Sequence, residues 1–217
     1  LDHDLHGVRV DDECRDAARA TARLLESLGH HVEESWPEAL ADASFPPRFG
    51  AMWATNQAVS RDALAAMLRR DVTSDDIEAV NWEQAERASK ASALDYAKSM
   101  NAAAMFRRAL AQWWQGGFDL LLTPTLARIP FPVGSFVNDP SDPLKPSRLA
   151  SEWVRFTAQF NMSGQPAISL PLARTASGLP VGVQLVAAYG REDLLLRVSA
   201  QLEAAAPWKS FTPTALD

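Results

Sequence analysis

The sequence predicts an α/β protein in which a mixed β-sheet is flanked by helices. Three observations carry that class. Residues 168–170 and 181–186 are short apolar runs rich in β-branched residues and bounded by Pro and Gly, so they are expected as strands. Residues 119–123 add a nearly continuous leucine run, the pattern of a strand covered on both faces. Around these strands apolar residues recur at helical spacing. Cys14, Ala17, Ala18, Thr21, Leu24, Leu25 and Leu28 form one stripe, and Leu194, Leu195, Val198, Leu202 and Ala205 form another.

In chain order, Asp11 or Asp12 offers an N-cap for the first helix, and Gly29 stands at its C′ position. Residues 31–35 are expected as a short strand that Trp36-Pro37 stops. A helix followed by a strand suggests half of a parallel unit whose earlier strand precedes Leu1. Residues 45–70 read as a long helix with a broad apolar face that includes Phe49, Met52 and Trp53. Residues 72–75 break it, with Thr73 or Ser74 as the next cap and Asp75 and Asp76 in the following first turn. Residues 82–115 read as one helix or two, ended by Gly116-Gly117, and as an antiparallel helical pair.

The leucine strand ends at Thr123-Pro124-Thr125. Residues after such a strand end point into the crevice where α/β sheets bind ligands. Residues 127–146 form a long loop whose Ile129, Phe131, Val133 and Phe136 either tack it to the body or line a channel. Residues 147–160 read as helical and lead into a turn at 161–165. The two β-branched runs are then neighbours, joined by Pro171 and the polar residues 173–180, with Gly178 at a turn position of positive φ. Glu192 and Asp193 open the last helix and Pro207 ends it.

Composition narrows the function. With 217 residues the expectation is one domain or one and a half, and a chain of that size can bury about 70% of its unfolded surface. The net charge of −6, with Arg69-Arg70 and Arg107-Arg108 as isolated pairs, argues against nucleic acid as a partner. No run approaches the roughly 18 apolar residues of a membrane span. The expected location is cytoplasmic. Secretion stays open, because the true N-terminus is expected upstream of Leu1. Cys14 is the sole cysteine and is expected as a small core residue. His3, His6, His30 and His31 do not suggest a metal site, and no cofactor is expected. G-x-S-x-G, G-x-G-x-x-G and the Walker loop are absent, and no Ser stands three residues before Lys90, Lys98, Lys145 or Lys209. Ser163 reads as a turn or cap hydroxyl without a base. No catalytic residue is therefore assigned.

One constellation goes further. The order Phe160-Asn161-x-Ser163-Gly164-x-Pro166-Ala167-x-Ser169-x-Pro171, then Gly178-Leu179-Pro180-Val181-Gly182-Val183-Gln184-Leu185, then Glu192-x-Leu194-Leu195, resembles the C-terminal end of the amidase signature family. Phe118-Asp119-Leu120-Leu121-Leu122-Thr123-Pro124-Thr125 is similar too. The resemblance implies the C-terminal part of the amidase-signature fold. Such enzymes cut amides through an acyl-enzyme on a Ser, with a Lys acting through a bridging Ser and backbone N–H groups holding the oxyanion. Those parts lie in an N-terminal Gly/Ser-rich core, which nothing here matches.

What the resemblance implies is therefore the C-terminal half of a single amidase domain, spanning 1–217 and inactive alone. It divides into a helix–strand unit (1–36), a helical region (45–116), and a sheet edge with substrate loop and closing helix (118–208). The implied partners are the N-terminal half of the same amidase and a small-molecule amide, with a homodimer left open. The implied pocket wall is Thr125, Ile129 and Phe131 after the leucine strand, and Ser151, Val154 and Arg155 on the next helix. Ile129, Phe131 and Trp153 would suit an aliphatic or aryl amide, and Arg155 facing the pocket would suit a substrate carboxylate. Asn161 and Gln165 are assigned to backbone hydrogen bonding in the turn. Two alternatives stand beside this reading. One is the amidase subunit of an aminoacyl-tRNA amidotransferase, against which the acidic charge argues. The other is a non-catalytic interaction module that docks through an exposed sheet face.

Overall fold

The structure is a computed structural model and describes residues 1–208. Lys209 lies outside the described residues. Helix α1 (Asp12–Ser27) places Cys14, Ala17, Ala18, Thr21 and Leu25 on its buried face, and Leu28 and Gly29 close it as the sequence anticipates. A single 3₁₀ turn (Glu38–Ala41) precedes α2 (Phe45–Leu68). The next helix, α3 (Ala79–Ser89), starts after the cap expected at Thr73 or Ser74 and three residues before the helical stretch expected from 82. Asp76 does not sit in its first turn. It accepts hydrogen bonds from the Thr73 amide and from Arg70, which closes residues 70–76 into a turn of their own. Helix α4 (Ala93–Gln115) starts at a capping box, in which Ser92 Oγ accepts from the Asp95 amide and the Asp95 carboxylate accepts from the Ser92 amide. Residues 82–115 thus form two helices, but not one packed pair. α3 lies against α2, and α4 packs on the 3₁₀ turn, α2 and a later short helix.

Strand β1 (Leu120–Pro124) follows. The stretch expected as one helix over 147–160 is two short ones, α5 (Lys145–Ser151) and α6 (Ala158–Ser163). Between them the chain turns at 152–157, where Trp153 and Phe156 leave the helical stripe to pack on loop and sheet. The family-like turn is correspondingly short, because residues 161–163 finish α6 and Gly164 caps it at φ +80°. Strand β2 (Ala167–Arg174) and strand β3 (Pro180–Ala187) form the expected hairpin. The loop is tighter than the sequence suggests. β2 continues through Pro171 by means of a bulge between Leu170 and Ala173, and Gly178 takes φ +86° at the turn. Helix α7 (Glu192–Ala205) ends the described fold.

Among the described residues the sheet has the order β1-β3-β2, and both pairings are antiparallel. Helices cover both faces. Val181, Val183, Leu185 and Ala187 of β3 meet the buried stripes of α1 and α7, while Val186 and Leu121 meet Ala103, Phe106, Leu110 and Trp114 of α4 and Phe160 of α6. The expectation of a strand at 31–35 is corrected. Those residues are not paired in the sheet. A strand is defined by a partner within hydrogen-bonding reach, about 4.8 Å away, and a cleft separates residues 31–35 from β1.

Candidate active-site wall

An open apolar recess of about 800 Å³ lies among α2, α3, the start of α4, α5 and the segment into α6. Its character follows from the local sequence. α2 carries Phe49, Met52 and Trp53 along one face, and among its residues of described burial Phe45 alone is buried. Phe49 and Met52 pack partly against the core around Phe45 and Phe106 and turn the rest of their surface to the recess, and Trp53 stays half exposed. Gln84 Nε2 on α3 donates to Ser147 Oγ on α5 at 2.8 Å, fixing the two helices across the cavity.

Charged groups on this wall are already engaged. Arg87 Nε donates to Glu83 at 2.7 Å, Arg148 pairs with Asp142 at 2.9 Å, and Asp95 is held in the capping box. Arg155 Nε donates to Asp4 Oδ1 at 2.8 Å. Burial pushes the Asp4 carboxyl up, but hydrogen bonds from Arg155 and from the amides of Val8 and His6 outweigh it and hold the group below the usual carboxylate range.

Five of the six residues expected as pocket wall fall in two separate recesses, and Phe131 lines neither. Ser151, Val154 and Arg155 line the large cavity. Thr125 and Ile129 line a separate recess of about 290 Å³ at the open end of the sheet, beside Cys14, Ser169 and Gly182. There Thr125 Oγ1 and Ser169 Oγ share a hydrogen bond of 2.7 Å over Gly182. A Cβ on Gly182 would stand 2.7 Å from Ser169 Oγ and 2.9 Å from Thr125 Oγ1, so a side chain there would part the two hydroxyls. Phe131 is stacked on Trp153 at 3.7 Å, with Phe136 edge-on to it. Trp153 Nε1 donates to Ile129 O, and the Arg128 guanidinium lies 5.2 Å from the Trp153 ring centre. Ile129 and Phe131 thus anchor the loop to the body, while Val133 is fully exposed.

Of the turn residues, Gln165 does not bond to backbone as expected. Its Oε1 accepts from Ser163 Oγ. Asn161 faces the large cavity. Phe49, Met52, Trp53, Gln84 and Tyr96 are wall residues that sequence reasoning did not assign. The readable signal was the breadth of apolar surface on α2, wider than one packing partner needs. Among the described residues Asp2, His3 and Glu34 bring ligand atoms within 4.8 Å of one another, but Asp2 is already held by Arg19 at 2.5 Å.

The buried polar tie under the sheet explains why the 152–157 segment is fixed. Gln184 Nε2 donates to Thr123 Oγ1 at 3.0 Å and to Phe156 O at 2.7 Å, joining β3, β1 and the approach to α6. The sequence profile described as Amidase matches residues 2–196. The chain belongs to the amidase signature family. It is 38% identical over 213 residues to the 6-aminohexanoate-cyclic-dimer hydrolases of Paenarthrobacter ureafaciens and of a Pseudomonas species, covering 96% of this chain and 43% of theirs. A solved structure of 6-aminohexanoate cyclic dimer hydrolase with substrate superimposes with a TM-score of 0.91 at 38% identity, covering 99% of this chain and 46% of that one. This amidase-family chain thus spans less than half the length of the relatives it matches, and its mixed helical and sheet architecture corresponds to their C-terminal part. Among the described residues no helix is long and apolar enough to cross a membrane.

Proposed function

We propose that this chain is the C-terminal portion of a serine-dependent amidase and that the 800 Å³ cavity is its contribution to the substrate pocket. The observation that carries the reading is the pairing of a large apolar recess with charged groups that are all taken. Phe49, Met52, Trp53 and Val154 offer apolar surface, and Arg87, Arg148, Arg155 and Asp95 each have a partner. Such a wall suits an uncharged amide with an extended apolar body. Binding a free carboxylate would require Arg155 to give up Asp4, so the substrate is an amide without that group. The hydrolases named above act on a cyclic dimer of 6-aminohexanoate, and a cyclic dimer has no free termini.

The bond-breaking groups come from the rest of the enzyme. Within this chain Ser163 Oγ is buried against Gln165 Oε1 and Phe160 O, with no base beside it. The expected division of labour is positioning here and nucleophile, base and oxyanion donors elsewhere, each step relying on a fixed wall to hold the amide in line for attack. The test fuses the N-terminal portion of the Paenarthrobacter hydrolase to this chain and assays neutral and carboxylate-bearing amides of equal length. Turnover of the neutral amide by the fusion, and none by the chain alone, is expected. Turnover by the chain alone that Ser163→Ala abolishes, or a preference of the fusion for the carboxylate, overturns the reading.

A further inference from the structure

The polar side chains of the large recess differ in what they still lack. Helix α3 and the residues just after it turn Gln84, Arg87, Ala88 and Ala91 towards it, a spacing that places all four on one face. Arg87 is engaged by Glu83, and the two alanines carry no polar side chain. Gln84 is half satisfied. Its Nε2 donates to Ser147 Oγ at 2.8 Å, while its Oε1 is shielded from solvent and accepts no hydrogen bond among the described residues. Gln159 of α6, on the same recess and only 9% exposed, repeats the pattern. Its Nε2 reaches back one turn to Arg155 O at 2.7 Å, and its Oε1 has no partner among the described residues either. Buried polar atoms are paired in the great majority of cases, and an unpaired one costs more than an average hydrogen bond returns. Asn161 also faces the recess, but it is exposed and solvent serves it.

We infer that Gln84 and Gln159 are specificity-determining acceptors, and that the recess takes amides carrying a second, uncleaved N–H group. The inference rests on the reading of this recess as substrate wall. Each carboxamide nitrogen is committed to a fixed partner, so what each side chain has left to offer a ligand is its carbonyl oxygen. The last torsion of a Gln side chain is soft, so a small rotation brings that oxygen to a donor in the recess. Such an acceptor discriminates by what a ligand fails to supply. A ketone, an ether or an N-methylated amide sets a carbon or a lone pair against a buried oxygen and is disfavoured. A carboxylate is disfavoured too, because oxygen would face oxygen and Arg155 is tied to Asp4. An ammonium would meet acceptors that carry no charge to balance it. An uncharged amide N–H on an apolar body satisfies both oxygens and the surface between them.

The experiment uses the fusion described above and two neutral compounds of equal length with the same scissile amide. One carries a second secondary amide. In the other a methylene replaces that N–H, which keeps the neighbouring carbonyl and the volume. The diamide is expected to have the higher kcat/KM, by at least about tenfold. Gln84→Met and Gln159→Met keep the side-chain length and remove the acceptor. Each is expected to cut that ratio about threefold or more, and the double variant to abolish the preference. Ser147→Ala, which removes only the tie to α5, is expected to leave the preference in place. No preference in the parent fusion overturns the inference, as does a preference that the folded double variant retains. Should the Gln159 variants fail to fold, an unchanged ratio in Gln84→Met overturns it equally. A preference lost to the same extent in Ser147→Ala assigns the effect to helix placement and also overturns it. Calorimetry of both compounds reads recognition without turnover. Equal binding and cleavage of the two fail this inference alone. Binding of the diamide about tenfold tighter, with neither compound cleaved, upholds it and fails the proposed function instead.

Discussion

Replacing Asp4 by Asn tests the joint between the first residues of the chain and the wall of the large cavity. The Asp4 side chain is only 2% exposed and that of Arg155 15% exposed, and they meet at 2.8 Å. Asp4 Oδ2 also accepts from the amides of His6 and Val8 at 2.9 and 2.8 Å. Asn keeps the size and can still serve those two amides, so the loss is the charge partner of a mostly buried guanidinium. Removing one member of a buried pair costs about 3–5 kcal/mol, and the residual exposure of Arg155 puts the expected loss near the lower end, about 3 kcal/mol. Urea unfolding at pH 7 measures it. The pH dependence supplies a second check. The folded Asp4 carboxyl lies below its ordinary value of about 4, so its contribution is complete above that pH and is lost as the pH falls through the folded value. The gap in stability between parent and Asp4→Asn should therefore close as the pH drops below about 4. A loss under about 0.5 kcal/mol at pH 7, or a gap that persists unchanged in acid, refutes the argument.

Three other outcomes follow from the same geometry. Gln184→Ala removes the double tie among β3, Thr123 and Phe156, and should cost about 2–4 kcal/mol in denaturant unfolding by orphaning a buried carbonyl and opening a void. Cys14 should resist alkylation at pH 8 and react promptly once unfolded in urea. Burial, with Asp11 and Glu13 adding, pushes its thiol up to about 11, so stability should also decline as the pH rises from about 8.5, the unfolded value, towards 11. Trp53→Ala, at a half-exposed wall position, should leave stability within about 1 kcal/mol. In the fused enzyme it should raise KM for a neutral amide about tenfold, and an unchanged KM would take Trp53 out of the pocket.

Much of the scaffold was legible because it depends on near neighbours in sequence. The stripe from Cys14 to Leu25, the stop at Gly29, the hairpin about Gly178 and the helix opened by Glu192 each rest on periodicity or on a backbone angle that a local residue dictates. The motif around Ser163, Gly164 and Pro166 identified the family for the same reason, since its spacing is a local property. What the chain alone could not show depends on partners far apart in sequence. Residues 31–35 have the composition of a strand, but strand pairing is decided by what lies alongside, and a cleft lies there. Arg155 reads as a free cation until Asp4, 151 residues away, is folded against it. Thr125 and Ile129 lie some twenty-five residues before Ser151, Val154 and Arg155 and read as one wall with them, yet the stacking of Phe131 on Trp153 and the tie at Gln184 set them in two recesses. Periodicity reports which face of an element is apolar, and only the folded chain determines whether that face meets a neighbour, a cavity or an open edge.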